Sequence, residues 1–229
     1  MRASVATRPQ TRQVTAREVA IGPLGLAGTL HLPASANALV VFAHGSGSSR
    51  FSPRNMAVAD ALNAHGIATL LFDLLTPDEE SDRTNVFDIP LLAERLIDVV
   101  RWTDAQLELA RLPLGLFGAS TGAAAALVAA AQLRRRVGAV VSRGGRPDLA
   151  DGALEFVNAP TLLIVGGLDD VVIKLNEQAL ARLRAPKAIE IVAGATHLFP
   201  EPGTLDIVIE LAARWFNAHL GSRKRADAG

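Results

Sequence analysis

The sequence predicts an α/β protein built on a mostly parallel sheet with helices on both faces. Three observations point there. After an opening pair of strand-like segments, six short apolar runs alternate with stretches of helical periodicity, the pattern of repeated strand–helix units joined by right-handed crossovers. The run at residues 38–43 is apolar throughout rather than at every second residue, as a strand covered on both faces requires. With 229 residues, 49% of them apolar and 20% charged, the chain can bury a substantial core.

Residues 14–21 and 26–32 flank Gly22-Pro23-Leu24-Gly25 and read as an antiparallel hairpin. Residues 38–43 form a central strand that stops at His44-Gly45-Ser46-Gly47. A helix follows from about Pro53, suited to a first turn, to His65, where Gly66 ends it. Residues 67–73 are the next buried strand. The long acidic loop 74–88 reads as a solvated face at Asp78, Glu79 and Glu80. Leu92, Leu96, Val99, Val100, Thr103 and Leu107 mark the inward side of a helix. Residues 113–117 are a strand, and an alanine-rich helix runs on to about Leu133. Strands at 137–141 and 161–165 bracket one short helix at 148–156, which leaves no room there for a lid domain. A helix at 176–184, a strand at 188–192 and a last helix at 204–219 complete the pattern. No linker or repeat divides the chain, so residues 14–220 read as a single domain, with 1–13 and 221–229 as flexible termini.

Composition narrows the function. Lys plus Arg (23) balance Asp plus Glu (23), so no global field recruits nucleic acid or an anionic membrane. The chain has no cysteine, which excludes disulfides, a thiol nucleophile and thiolate metal sites. No histidine–carboxylate set has ligand spacing, so neither metal nor cofactor is expected. Neither a signal-peptide core nor a bilayer-length apolar run is present, so the expected compartment is the cytoplasm.

The chemistry starts at Gly118-Ala119-Ser120-Thr121-Gly122, a G-x-S-x-G sequence between a strand and a helix. A serine on that sharp turn needs small residues two places to either side. It also stands at a helix N-terminus, where free N–H groups can face an oxyanion. His44, Asp169-Asp170 and His197 also follow strands, so they fall with Ser120 on the edge where ligands bind in such sheets. The order Ser…Asp…His is far more specific than the pentapeptide alone.

With these pieces in place, the chain resembles an α/β-hydrolase, and in size and loops it is similar to the dienelactone hydrolase family. The resemblance runs from the hairpin to the last helix. It is carried by Phe42-Ala43-His44-Gly45-Ser46-Gly47, Gly118-Ala119-Ser120-Thr121-Gly122, Gly166-Gly167-Leu168-Asp169-Asp170-Val171-Val172 and Gly194-Ala195-Thr196-His197. Dienelactone hydrolases proper use a cysteine nucleophile where this chain has Ser120, so the resemblance implies a serine esterase on that scaffold.

In this reading Ser120 is the nucleophile and His197 the base. The other histidines read as structural or surface residues, and His44, which precedes Ser120, shapes the oxyanion loop by resemblance. Family spacing selects Asp169 as the acid, with Asp170 as fallback and otherwise a cap for the following turn. The oxyanion donors are the backbone N–H groups of Ser46 and Thr121, whose side-chain identities are expected to matter little. His44, Arg143 and Arg146 are candidate substrate contacts, the arginines for an anionic group or else as solvated partners of Asp148 or Asp151. The expected partner is a small ester, lactone or thioester; a site without a lid suits short acyl chains. Two alternatives are a catalytically silent binding protein on this fold and an acyltransferase using the same three residues.

Overall fold

The computed structural model describes residues 13–221; apart from residues 13 and 221, the termini expected to be flexible, 1–13 and 221–229, lie outside that range. Eight strands form one sheet in the order β1-β2-β4-β3-β5-β6-β7-β8. β1 (Val14–Ile21) and β2 (Leu26–Pro33) form the expected hairpin, and β2 runs antiparallel to β4 (Ile67–Phe72). From β4 onward every pairing is parallel, through β3 (Ala38–Ala43), β5 (Leu114–Ala119), β6 (Val137–Arg143), β7 (Thr161–Gly166) and β8 (Lys187–Val192).

The central strands are buried on both sides because alternate residues enter different cores. Leu39 and Val41 pack with Leu92, Leu96 and Val100 of α3 (Ile89–Asp104) and with Leu127 of α4 (Thr121–Leu133). Val40 and Phe42 face the other way, onto Val58 and Leu62 of α1 (Pro53–Ala64) and Val208 and Phe216 of α6 (Thr204–Leu220). Phe42 also meets Phe117 of β5, ring centroids 4.9 Å apart. A continuous apolar run is therefore what such a strand must be.

Four elements differ from the sequence expectation. The acidic stretch 74–88 contains a short helix, α2 (Pro77–Ser81), and a 3-10 turn at Asn85–Phe87. Thr76 and Glu79 cap each other reciprocally, and the Glu79 carboxylate also pairs with Arg95, which holds its pKa below the ordinary carboxylate range. Glu79 is thus committed rather than a solvated charge. Helix α3 stops at Asp104, leaving Leu107 exposed, because the tight turns that follow bury Leu109 instead. Residues 147–156 form 3-10 turns kinked at Asp151 (φ 38°). Helix α5 (Asp170–Arg182) begins earlier than its apolar periodicity suggests, directly behind Asp169.

Glycines set the closest approaches. A Cβ at Gly122 would collide with the carbonyl oxygens of Ala43 and His44, backbone atoms that cannot rotate aside. Gly122→Ala should therefore cost about 3 kcal/mol or more. Gly152→Ala, where a Cβ meets nothing within 4 Å, should be close to neutral. Urea unfolding midpoints of the two variants check this; equal midpoints would contradict it.

Candidate active site

Strand β5 delivers Ser120 to the carboxyl edge of the sheet with φ 51° and ψ −123°, a conformation that L-residues rarely adopt. The strain is held from both sides. The Ser120 N–H donates to the Arg143 carbonyl at 3.3 Å, and its carbonyl accepts from the N–H groups of Ala123 and Arg146, each at 3.1 Å. Behind the serine there is no space: a Cβ on Gly45 would lie 2.9 Å from the Ser120 Cβ. The turn is thus locked between the loop after β3 and the loop after β6.

Strand β7 leads to Asp169, the residue expected to be the acid. Asp169 occupies the N-cap position of α5, yet its carboxylate caps nothing. Instead Oδ2 lies 2.7 Å from Nδ1 of His197, on the loop after β8. Asp170 is the first residue of α5 and lies exposed. The two loops meet because Gly166 lacks a Cβ, which would sit 2.5 Å from the Ala195 carbonyl oxygen. On its other flank the histidine loop rests on Gly144, where a Cβ would come within 2.7 Å of the His197 carbonyl oxygen. Buried Phe199 anchors the loop below. Two residues that sequence reasoning missed hold these loops. Glu201 accepts hydrogen bonds from the Thr196 N–H (3.1 Å) and hydroxyl (2.6 Å), which lower its pKa. Asn176, fully buried, donates to the Gly145 carbonyl at 3.0 Å. A polar residue on the same helical face as Val172 and Ala179 was the available signal for the latter.

The pair expected to face an oxyanion departs from expectation in one respect. Ser46 and Thr121 come together, but the Ser46 N–H donates to the Thr121 hydroxyl at 3.0 Å. The side chain at position 121 therefore matters: its hydroxyl occupies the donor that an oxyanion would use. His44 is a tether. Its Nδ1 lies 3.0 Å from the Gly45 carbonyl oxygen and its Nε2 accepts the Leu74 N–H at 3.1 Å, contacts satisfied together with the proton on Nδ1. Both ring nitrogens are thus spent on holding the loop to the exit of β4, and neither remains for a substrate. Arg146 grips Asp148 with two hydrogen bonds of 2.8 and 2.7 Å, which raise its pKa. Arg143, by contrast, is buried. Alongside the oxyanion loop lies a small pocket walled by Leu74, Leu75, Val86 and Leu92, so the stretch containing α2 forms part of the site.

Among the described residues no cluster of side chains could hold a metal ion, and no helix is long and apolar enough to cross a membrane. Between β6 and β7 the described chain makes only the 3-10 turns at Pro147–Phe156.

A family model described as an alpha/beta hydrolase domain matches residues 36–207. This protein is an α/β-hydrolase. Within that family it is dienelactone hydrolase-like: a crystal structure of dienelactone hydrolase from Anabaena variabilis is 52% identical and superposes with a TM-score of 0.87, covering 91% of this chain and 98% of that one. The chain also shares its fold with the esterase domain of a Rhodothermus marinus protein, at 23% identity and a TM-score of 0.72 over 91% of this chain and 100% of the other. A Mycobacterium tuberculosis relative, provisionally named a phosphoribosyl transferase, is 60% identical over 89% of this chain. The chain spans a little under half of that relative's length, 46%.

Proposed function

We propose that the protein is a serine hydrolase that cleaves a small carboxylic ester, lactone or thioester through an acyl-enzyme on Ser120. The observation that carries this reading is the 2.7 Å contact between His197 and Asp169, on the sheet edge where Ser120 is held at φ 51°. With Nδ1–H donated to Asp169, the Nε2 of His197 is left as the base. As Ser120 Oγ bonds to the carbonyl carbon, its proton passes to Nε2, and the developing oxyanion faces the Thr121 N–H. The Ser46 N–H joins once the Thr121 hydroxyl turns away; such a donor contributes about 3 kcal/mol to the transition state. The imidazolium then protonates the departing alkoxide or thiolate, and water repeats the sequence to release the acid. In a lactone the leaving oxygen stays tethered to the product.

The phosphoribosyl transferase name of the longer relative describes, in our reading, the part of that protein outside the stretch matched here. A fluorophosphonate probe with mass-spectrometric mapping tests the proposal, run beside a panel of short esters, lactones and thioesters. Labelling at Ser120 with turnover of at least one class is expected. An unlabelled Ser120 in the native protein would sink it.

A further inference from the structure

Arg54 and Arg143 carry positive charge that no carboxylate among the described residues neutralises. Arg143 ends β6 at 5% exposure, paired across the sheet with Ala119, the residue before the nucleophile. Its Nη2 reaches the Asn55 side-chain oxygen in the first turn of α1 at 3.3 Å, and its buried Nε has no acceptor. Arg54, the neighbour of Asn55, likewise has a buried Nε without an acceptor. The other arginines that are not solvent-exposed all have carboxylate partners. Arg50 pairs with Asp73, Arg95 with Glu79, Arg136 with Asp104, Arg146 with Asp148, and Arg182 with Asp151 and Glu155. Among the described residues no carboxylate oxygen comes within 4.0 Å of Arg54 or Arg143.

An uncompensated buried guanidinium is costly, and it is the missing carboxylate that sets Arg54 and Arg143 apart from the other arginines that are not solvent-exposed. Burial and the charge of Arg54 draw the Arg143 pKa down to about 10, which leaves the group protonated at neutral pH. The surroundings add positive potential. Helix α1 begins close by, and the connection leading into it, Gly45-Ser46-Gly47-Ser48-Ser49, is rich in serine, whose hydroxyls can donate to an oxyanion. An open cleft lined by Gly47, Ser48, Ser52 and Arg54 lies beside the start of α1, with Glu80 the acidic residue on its wall.

We propose that Arg54 and Arg143, at the start of α1, form a subsite for a phosphate-monoester group carried by the substrate of Ser120. Charge selects the class: two guanidiniums match a phosphate monoester, which carries roughly −1.5 to −2 near neutral pH, better than a single carboxylate. Guanidinium forks also suit the bidentate geometry of phosphoryl oxygens. This assignment rests on the serine-hydrolase reading for its substrate but not for its binding chemistry, so the two can fail separately.

The test uses the whole protein in two arms. In the first, inorganic phosphate is titrated calorimetrically into the Ser120→Ala variant, with acetate at matched ionic strength as comparison. Phosphate should bind more tightly than acetate, and adding Arg54→Gln should weaken phosphate by about tenfold or more. In the second, an acyl ester bearing a terminal phosphate is compared with its hydroxyl analogue on the unmutated enzyme. Arg54→Gln should lower the ratio of their kcat/KM values by a similar factor. Arg143→Lys, which keeps the charge in the buried position, should retain more phosphate affinity than Arg143→Gln. Undetectable phosphate binding, acetate binding as tight as phosphate, or a ratio unmoved by Arg54→Gln would overturn the subsite. Hydrolysis of the hydroxyl analogue in that event would leave the serine-hydrolase reading standing.

Discussion

Ser120→Ala is expected to reduce turnover of any substrate of this site by about 10^6-fold while the protein stays folded. The size follows from the unit behaviour of nucleophile and base, in which removing either disables both. What remains is rate enhancement from the oxyanion donors and binding alone. Stability should hardly change, because the strained backbone at 120 is kept by main-chain bonds to Arg143, Ala123 and Arg146 that alanine preserves. Steady-state hydrolysis of the best substrate in the panel, beside a urea melt of the same preparation, measures both. Turnover within tenfold of the unmutated protein would remove Ser120 from the chemistry.

Asp169→Asn should lower kcat/KM by about 10^4-fold, against a change of only a few-fold for Asp170→Asn. The asymmetry comes from geometry, since the residues are identical and adjacent. Asp169 accepts from His197 Nδ1 at 2.7 Å, so it selects the tautomer that leaves Nε2 free and stabilises the imidazolium. An asparagine there presents a neutral group that can stabilise the wrong tautomer. Asp170 sits in the first turn of α5, where its charge interacts with the helix N-terminus, worth a few tenths of a kcal/mol and remote from the proton transfer. A pair of equally impaired variants would show that the carboxylates act jointly. The reverse order would exchange their roles.

How much of this was legible beforehand depends on the kind of signal. The central strands declared themselves because two-sided burial leaves no polar residue in Ala38–Ala43 or Leu114–Ala119. Helix α2 was hidden by its charge, although Thr76-Pro77-Asp78-Glu79 holds both halves of a capping box and a proline at the first helical position. The extent of α5 escaped because its first turn follows an N-cap residue whose side chain is diverted to His197. At the site, Ser120 and His197 were readable from the glycine-bearing loops around them. Between Asp169 and Asp170 the residues alone left two adjacent carboxylates, and family spacing pointed to Asp169, the one whose side chain reaches His197 across 28 residues. The Thr121 hydroxyl on the Ser46 N–H spans 75 residues, a contact that no local pattern encodes. Arg143 illustrates the converse case. A charge at the end of an apolar strand reads like the first residue of a loop, and only its burial against Asn55 sets it apart from Arg146.

The closest approaches between the loops that carry Ser120, Asp169 and His197 are made at glycines, and this has a consequence for how such a scaffold can diversify. Gly45 against Ser120, Gly122 against Ala43 and His44, and Gly166 against Ala195 tolerate no added Cβ. The wall of the adjoining pocket is held differently, by the Thr76–Glu79 reciprocal cap and the Glu79–Arg95 ion pair. Those few side-chain bonds can be exchanged without touching a glycine contact. Residues 74–88 are therefore the natural segment to recombine in the laboratory, where a library confined to them would vary the pocket wall, and on the proposed reading the substrates accepted, without touching the glycine contacts.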